Sequence, residues 1–336
     1  MAASDIWLVG DESACRAAQE WAQESSSTVA INTVAASELA QRAADPLAGP
    51  RGPEPWLISM NSTAIIRRAV LERFDGHAVN IHPGRLPDFA GLYAVQWAIR
   101  LGESATAATA HFMTETLDAG DVIYVAPVPI GPHDTGLSVW LRCVRAQVGV
   151  LKRLLTEIAA GRELPRVSQD LSGLRYFKAA DALGDQLPTH LHAIEAERWV
   201  RAGNYQPLSS PTYRPTLVIT KPRLTLGLDE VAVADQGAAL DLAPGEARVL
   251  DGKLIIGCAA GSALLLRRAC VLASAGLPSQ WSRAVDNLVS LARGAIEGVG
   301  YLGETPCLAH ECQGRDCAPS NTGRPLPVGV RDHTLL

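Results

Sequence analysis

Three side chains near the ends of predicted strands have the types needed for acyl-transfer chemistry. Asn80 and His82 stand two positions apart in a run that predicts a strand, so their side chains share one face. A Pro-Gly pair then ends this strand, which leaves both side chains at its carboxyl end, where open α/β sheets bind ligands. Asp118 precedes a second apolar run, residues 122–128. An oxyanion-binding amide, a proton-carrying imidazole and an orienting carboxylate would then share one cleft.

Each of these residues taken alone also has a structural explanation. Asn and Asp are common turn formers, and Asp118 lies two residues before a glycine. A single histidine is more often structural than catalytic. The joint pattern favours the catalytic interpretation. His111, seven residues before Asp118, is predicted to be a buried structural histidine rather than a direct proton carrier.

The residues around this set resemble a known family. The motif Asn-x-His-Pro-Gly-x-Leu-Pro-x-Phe-x-Gly spans residues 80–91, and Leu-Asp-x-Gly spans residues 117–120. Together they resemble the 10-formyltetrahydrofolate-dependent formyltransferases, and the similarity extends over residues 55–177. A weaker similarity, over residues 244–266, is to the small β-barrel that ends many long members of that family.

The resemblance implies a donor substrate and roles for the site residues. The donor would be 10-formyltetrahydrofolate, whose formyl carbon an uncharged amine attacks. Asn80 would bind the oxyanion, His82 would stabilise it or carry protons, and Asp118 would order a water and raise the basicity of His82. The folate would lie between Ser62, Ile65 and Ile66 on one side and Met113, Thr114, Glu115 and Leu117 on the other. We expect no metal and no nicotinamide cofactor, since no glycine fingerprint follows the first strand.

Hydrophobic patterning predicts an α/β fold with a mostly parallel, Rossmann-like sheet, followed by a small OB-like β-barrel. The predicted strands of the sheet are 6–9, 29–31, 56–60, 78–82 and 122–128, and its predicted helices are 14–24, 64–74 and 137–159. The predicted barrel strands are 216–219, 230–234, 247–250, 254–257 and 264–266. Residues 35–53 look abbreviated, so a strand-helix unit is expected to be missing from the edge of the sheet.

These elements predict four regions of the chain. They are a formyltransferase catalytic domain (1–180), a linker and helix (181–205), the barrel (206–305) and a flexible tail (306–336). A segment over 162–177 is expected to close the first domain in extended form. Helix 190–202, capped by Thr189, is predicted to pack against the first domain. The tail contains Cys307, His310, Cys312 and Cys317, which are metal-ligand types, but they lack a Cys-x-x-Cys pair and no metal site is predicted there.

Composition favours a soluble cytoplasmic protein with a packed core. The 336 residues are 47% hydrophobic and 19% charged. No apolar run reaches the roughly 20 residues that span a bilayer, and the first residues lack the pattern of a secretory signal. Seven cysteines are scattered, and those at 143, 258 and 270 have apolar neighbours, which predicts reduced, buried thiols.

Three functions remain open from the sequence. The first is N-formylation of an amine on a small biosynthetic molecule, such as an amino sugar, a hydroxyornithine or an aminoacyl precursor. The second is methionyl-tRNA formylation, but residues 201–336 hold 13 Lys and Arg against 12 Asp and Glu, so nucleic acid is an unexpected partner. The third is formyltetrahydrofolate hydrolysis or folate binding without catalysis. Asp11 and Glu12 would also repel a phosphate at the first helix.

Overall fold

A six-stranded sheet forms the first part of the protein. The computed structural model describes residues 5–25, 29–44, 54–62, 64–181, 184–234 and 242–297. The first eight strands are β1 (Asp5–Gly10), β2 (Ala30–Thr33), β3 (Trp56–Met60), β4 (Ala78–His82), β5 (Ala90–Gly91), β6 (Ala105–Phe112), β7 (Val122–Pro129) and β8 (Tyr176–Phe177). The six-stranded sheet has the order β2-β1-β3-β4-β6-β7, while β5 and β8 pair separately. The pairs from β2 to β4 are parallel and the pairs from β4 to β7 are antiparallel. The prediction of a mostly parallel sheet is confirmed.

Helices cover both faces of this sheet. The helices of the whole described chain are α1 (Glu12–Ser25), α2 (Ala36–Ala44), α3 (Arg68–Leu71), α4 (Ala94–Arg100), α5 (Gly136–Ala159), α6 (Ala193–Gly203) and α7 (Ser279–Glu297). Successive side chains of β1 point to opposite faces, so Ile6 and Leu8 join a core with α1 and α5. Trp7 and Val9 join a second core with α2 and α3. The central strands are therefore buried on both faces of the sheet. This packing fixes the position of the carboxyl end of β4.

A second sheet follows in the chain. Its strands are β9 (Thr216–Ile219), β10 (Arg223–Val233), β11 (Ala247–Leu250), β12 (Lys253–Gly257) and β13 (Ala263–Ala275). They pair in the order β11-β12-β13-β10-β9, antiparallel throughout. The long β10–β13 pair contains register shifts that bend both strands. This bent antiparallel sheet is consistent with the predicted small barrel, although α7, which packs on it, was not predicted.

Helix α6 contributes to the cores of both parts. Trp199 is fully buried in the core of the second sheet and stacks on Tyr213, with ring centroids 4.6 Å apart. Ala202, one turn later, packs with Val95 and Val139 of the first part. The Arg201 guanidinium also donates to the Asp134 carbonyl at 2.7 Å. The helix therefore joins the two parts, in agreement with its predicted packing.

Two helix predictions are wrong in their limits. Instead of one helix over 64–74, the chain is irregular to residue 67, forms α3, and ends in a short 3₁₀ turn, Glu72–Phe74. Arg67 is extended, so the helix cannot begin before it. Helix α6 is capped by His192 rather than Thr189, because the His192 ring accepts the Ile194 N–H and Glu195 accepts the His192 N–H.

The expected absence of a strand-helix unit at the sheet edge is not tested by the described residues, in which β2 is the edge strand. Helix α2 forms where the sequence looked abbreviated, and it packs against β1 and α3. Residues 45–53, the Gly- and Pro-rich part of that stretch, lie outside the described residues. The predicted tail with its four metal-ligand types lies outside them too. The extended segment over 162–177 is present, with only one 3₁₀ turn, Leu171–Gly173.

The cysteines among the described residues are all reduced. Cys143 and Cys258 are buried, as expected, and burial raises the pKa of Cys143 to about 12. Cys270 is only half-buried, and its sulfur lies 2.7 Å from the Arg214 guanidinium. The prediction of a buried apolar site is therefore wrong for Cys270, whose strand borders a charged side chain.

We expect Trp199→Ala to destabilise the protein by about 3–5 kcal/mol, because it removes a fully buried aromatic side chain and its stacking contact with Tyr213. Ile194→Ala is the matched control on the same helix, since Ile194 is 45% exposed, and it is expected to cost less than about 0.5 kcal/mol. Urea denaturation followed by circular dichroism measures both. Equal effects of the two substitutions would contradict the burial of Trp199 in the core of the second sheet.

Candidate active site

The structure brings Asn80, His82 and Asp118 together. Asn80 and His82 lie at the carboxyl end of β4, and Asp118 lies in the loop between β6 and β7. The Asn80 amide nitrogen is 3.5 Å from one Asp118 oxygen, and His82 Nδ1 is 3.7 Å from the other. The convergence expected from the sequence is present in the geometry.

His111 is a fourth member of this group. Antiparallel pairing of β4 with β6 places His111 directly opposite Asn80. The His111 ring donates from Nδ1 to the Phe112 carbonyl at 2.9 Å, which leaves Nε2 3.3 Å from the Asn80 amide and 3.4 Å from Asp118 Oδ1. The predicted burial of His111 is therefore correct, and its contact with the site was not predicted. The signal that would have found it is the strand pairing, which a sequence pattern does not specify.

Asp118 is held in an uncommon backbone conformation. Its φ is 55°, in the left-handed region that non-glycine residues rarely adopt. Its Oδ2 accepts the Gly91 N–H at 2.8 Å. Gly120 follows, and a Cβ there would lie 2.0 Å from the Phe112 carbonyl oxygen, so only glycine fits. The Leu-Asp-x-Gly motif thus describes a tight loop that aims one carboxylate at two histidines.

The His82 imidazole is neutral near pH 7. Its Nε2 lies 2.7 Å from the Phe89 carbonyl, and since a carbonyl only accepts, Nε2 carries the proton. Burial lowers the pKa of His82, and this effect exceeds the opposing influence of the Asp118 charge and of the Phe89 carbonyl. The remaining nitrogen, Nδ1, faces Asp118 with a free lone pair, so it can accept a proton.

The Asp118 carboxylate is ionised. Burial alone would raise its pKa, but the charge that His111 and His82 carry when protonated, together with the Gly91 N–H, lowers the pKa of Asp118 to about 2. A fixed negative charge therefore lies beside a neutral imidazole. This arrangement stabilises the imidazolium that forms when His82 takes a proton.

The residues predicted to contact folate lie on two adjoining segments. Ile66 and Met113 pack against the same buried cluster. The Arg68 guanidinium of α3 meets the Glu115 carboxylate at 2.9 Å, on the surface. Ile65 is 69% exposed and Leu117 is 41% exposed. Ser62 is half-buried, with its hydroxyl accepting the Ala64 N–H, and Thr114 is exposed, with its hydroxyl donating to the Thr116 carbonyl.

The described residues contain neither a cluster of metal-ligand side chains nor a helix that could span a membrane. Within the part of the chain that the structure describes, no group of three or more His, Cys, Asp or Glu side chains is arranged to hold a metal ion. Among the same residues, no helix has both the length and the apolar character needed to cross a membrane.

Known proteins resemble the first part of the chain. Residues 5–154 match the family model described as formyl transferase. Methionyl-tRNA formyltransferase of Lactobacillus delbrueckii is 32% identical over 155 residues, which cover 46% of this chain and 47% of that protein. Phosphoribosylglycinamide formyltransferase of Haemophilus influenzae is 44% identical over 91 residues, covering 27% and 43%. The chain thus matches about half the length of these curated relatives.

Solved structures extend the likeness beyond that part. The N-formyltransferase of Helicobacter canadensis, in complex with folinic acid and dTDP-3-aminofucose, has a TM-score of 0.59 and 13% identity, covering 78% of this chain and 98% of its own. HypX of Aquifex aeolicus, in complex with tetrahydrofolic acid, has a TM-score of 0.54 and 19% identity, covering 82% and 46%. At these identities the likeness shows a shared fold. Residues 5–154 of this chain are therefore a domain of the formyl transferase family.

Proposed function

We propose that this protein is an N-formyltransferase that moves a formyl group from 10-formyltetrahydrofolate to an amine of a small biosynthetic molecule. The observation that carries the proposal is the approach of Asn80 and His82 to one ionised Asp118 carboxylate, in a domain of the formyl transferase family. The Helicobacter neighbour, which holds folinic acid and an amino-sugar nucleotide, supports the same pair of substrates.

The proposed reaction begins when the uncharged amine attacks the formyl carbon. A new C–N bond forms, and the carbonyl oxygen becomes an oxyanion. The Asn80 amide donates a hydrogen bond to that oxygen. Both contacts of this amide, with His111 and Asp118, are long at 3.3 and 3.5 Å, so one N–H can turn toward the substrate at small cost.

Proton transfer completes the proposed reaction. His82 Nδ1 takes the proton from the attacking nitrogen, while the Asp118 charge stabilises the imidazolium. The C–N bond to the folate nitrogen then breaks, and the same proton passes to that leaving nitrogen. No proton is gained or lost overall, which suits a buried histidine with one partner carboxylate.

The proposed folate site uses the two segments around α3 and the Asp118 loop. Ile65 and Leu117 expose large apolar surfaces there, and a flat folate ring would cover such surfaces. The polar edge of the ring would pair with main-chain groups of residues 113–117. No metal or nicotinamide cofactor has a role in this proposal.

Charge at the first helix argues against a phosphate-bearing acceptor at that place. Asp11 accepts hydrogen bonds from the Ser13 hydroxyl at 2.5 Å, the Ala14 N–H at 3.1 Å and the Asn61 amide at 3.0 Å. Its carboxylate therefore occupies the end of α1, where a helix could otherwise bind an anion. We infer that the acceptor differs from glycinamide ribonucleotide, although a phosphate can still bind elsewhere.

Methionyl-tRNA is the second candidate acceptor, since the curated relatives include methionyl-tRNA formyltransferases. A protein that binds several tRNA phosphates needs a surface rich in lysine and arginine. Residues 201–336 are close to neutral and contain only two lysines, Lys221 and Lys253. The charge balance therefore favours a small amine.

Assays with 10-formyltetrahydrofolate test the function and separate the alternatives. We expect formyl transfer to at least one small amine among amino-sugar nucleotides, hydroxyornithine and aminoacyl precursors, at a rate above that of donor loss without an acceptor. Methionyl-tRNA formylation at a comparable rate, or a submicromolar tRNA complex that weakens steeply with salt, would contradict a small acceptor. Donor loss that no amine accelerates would indicate a hydrolase.

Substitutions at the centre are expected to remove activity without unfolding the protein. His82→Ala and Asp118→Ala should each lose at least about a hundredfold in rate, as for groups that move or stabilise a proton. Asn80→Ala should cost about 3–4 kcal/mol of barrier, the usual loss for an oxyanion donor. Asp121→Asn is the matched control, because this carboxylate lies in the same loop but bonds to Ser168. Near-wild-type turnover of a His82 or Asp118 variant would refute its assigned role.

Histidine titration provides a test that needs no substrate. Burial lowers the pKa of His82 while the Asp118 charge opposes that shift, so Asp118→Asn should lower this pKa further. The neutral form of His82 should therefore persist to more acidic pH in the variant. NMR of histidine-labelled protein measures the titration, with the exposed His190 as internal reference. A His82 pKa that rises, or stays unchanged, in Asp118→Asn would be inconsistent with the proposed electrostatics.

A further inference from the structure

The segment that follows α5 runs along the candidate site. This closing segment, residues 162–177, contacts the loop that carries Asp118 and also β5, whose Gly91 binds the Asp118 carboxylate. Val167 and Val122 exchange two backbone hydrogen bonds, at 2.8 and 3.0 Å. Phe177 pairs with Gly91, the residue whose N–H binds the Asp118 carboxylate. Most of the segment is exposed, so its position depends on such contacts.

Within the closing segment, Gln169 contacts the loop that carries Asp118. Its side-chain nitrogen lies 3.0 Å from the Asp118 carbonyl and 2.6 Å from the Gly120 carbonyl. Because both partners are carbonyl oxygens, which only accept, the Gln169 amide must present its two N–H groups to them. Both donors of one side chain are thus committed to the loop that carries Asp118.

The loop needs support of this kind. Asp118 holds a left-handed φ of 55°, which is costly for a residue with a Cβ. Residues 114–117, immediately before it, are exposed and belong to neither β6 nor β7. Gln169 fixes the carbonyls on either side of the turn, while Gly91 fixes the carboxylate.

We propose that Gln169 is a positioning residue for formyl transfer. It holds the Asp118 backbone in the conformation that places the carboxylate beside His82 and His111. Gln169 itself touches neither histidine, so it acts through Asp118. The proposal rests on the proposed function of the site for its kinetic part and on the hydrogen bonds alone for its structural part.

Two substitutions and one control test the proposal. Gln169→Met keeps the length of the side chain and removes both donors. It is expected to lower kcat by about tenfold to a hundredfold, the usual effect of a slightly misplaced group, with little change in the donor KM. Ser168→Ala is the matched control, since it removes a neighbouring hydrogen bond of the same segment, to Asp121, at 3.0 Å, and should retain wild-type kcat.

A spectroscopic measurement separates positioning from a general structural role. If the carboxylate moves away in Gln169→Met, the His82 pKa should fall, in the direction expected for Asp118→Asn but by less. Ser168→Ala should leave this titration unchanged. The measurement requires neither folate nor an acceptor.

Gln169→Glu adds a pH-dependent test. An ionised glutamate repels both carbonyls, whereas a protonated one regains a single O–H donor. Its kcat relative to wild type should therefore rise as the pH falls, while the same ratio for Gln169→Met should stay flat. If only the volume of the side chain mattered, the kcat of Gln169→Glu and that of Gln169→Met, each relative to wild type, would depend on pH in the same way.

The outcomes separate this proposal from the proposed function. If the wild-type protein transfers formyl groups and Gln169→Met keeps both its kcat and the His82 titration, positioning by Gln169 is wrong. If the wild-type protein shows no formyl transfer, the proposed function fails, and the His82 titration still decides whether Gln169 positions Asp118. If Gln169→Met does not fold, as judged by circular dichroism, the pH dependence of Gln169→Glu decides.

Discussion

One buried negative charge organises this site. The Asp118 carboxylate has lost most of its water, and it stays ionised because the Gly91 N–H and the Asn80 amide donate to it and because a proton on either neighbouring imidazole favours its charge. An ion in such a place restricts its surroundings more than an apolar side chain does, because each lone pair needs a partner at a defined distance. The tight loop that carries it and the strand pair that presents Asn80 and His111 both follow from this requirement.

The scaffold separates the tasks of stability and chemistry. The fully buried side chains of β1, β3 and β4 pack between two layers of helices and fix the height at which β4 ends. The reactive groups then project from that end, where the neighbouring backbone adopts conformations that a regular strand does not allow, as at Asp118 and Tyr93. The unfavourable backbone conformations of these loops are tolerated because the packing of the sheet stabilises the fold by more than they cost.

The sequence predicted local features well and long-range contacts poorly. The alternation in β4 placed Asn80 and His82 on one face, and the turn residues after it placed them at the strand end. The role of His111 depends on pairing between strands 31 residues apart, and the contact of Gln169 with Asp118 spans 51 residues. No local pattern encodes such pairings. Helix α3 is shorter than helix propensity indicated. Arg67 has an extended backbone, so the helix begins only at the next residue.

The sharing of α6 between two cores has a consequence for how such chains can be recombined. A helix that packs in only one core can be retained when the other domain is replaced by that of a relative. Here Trp199 fills one core while Ala202 fills the other, so a cut at the start or the middle of α6 opens apolar surface on both sides. The residues that follow are committed as well, because Asn204 bonds to both Leu137 and Asp229. A chimera between this chain and a relative would therefore have to inherit the helix and both of its packing surfaces from a single parent.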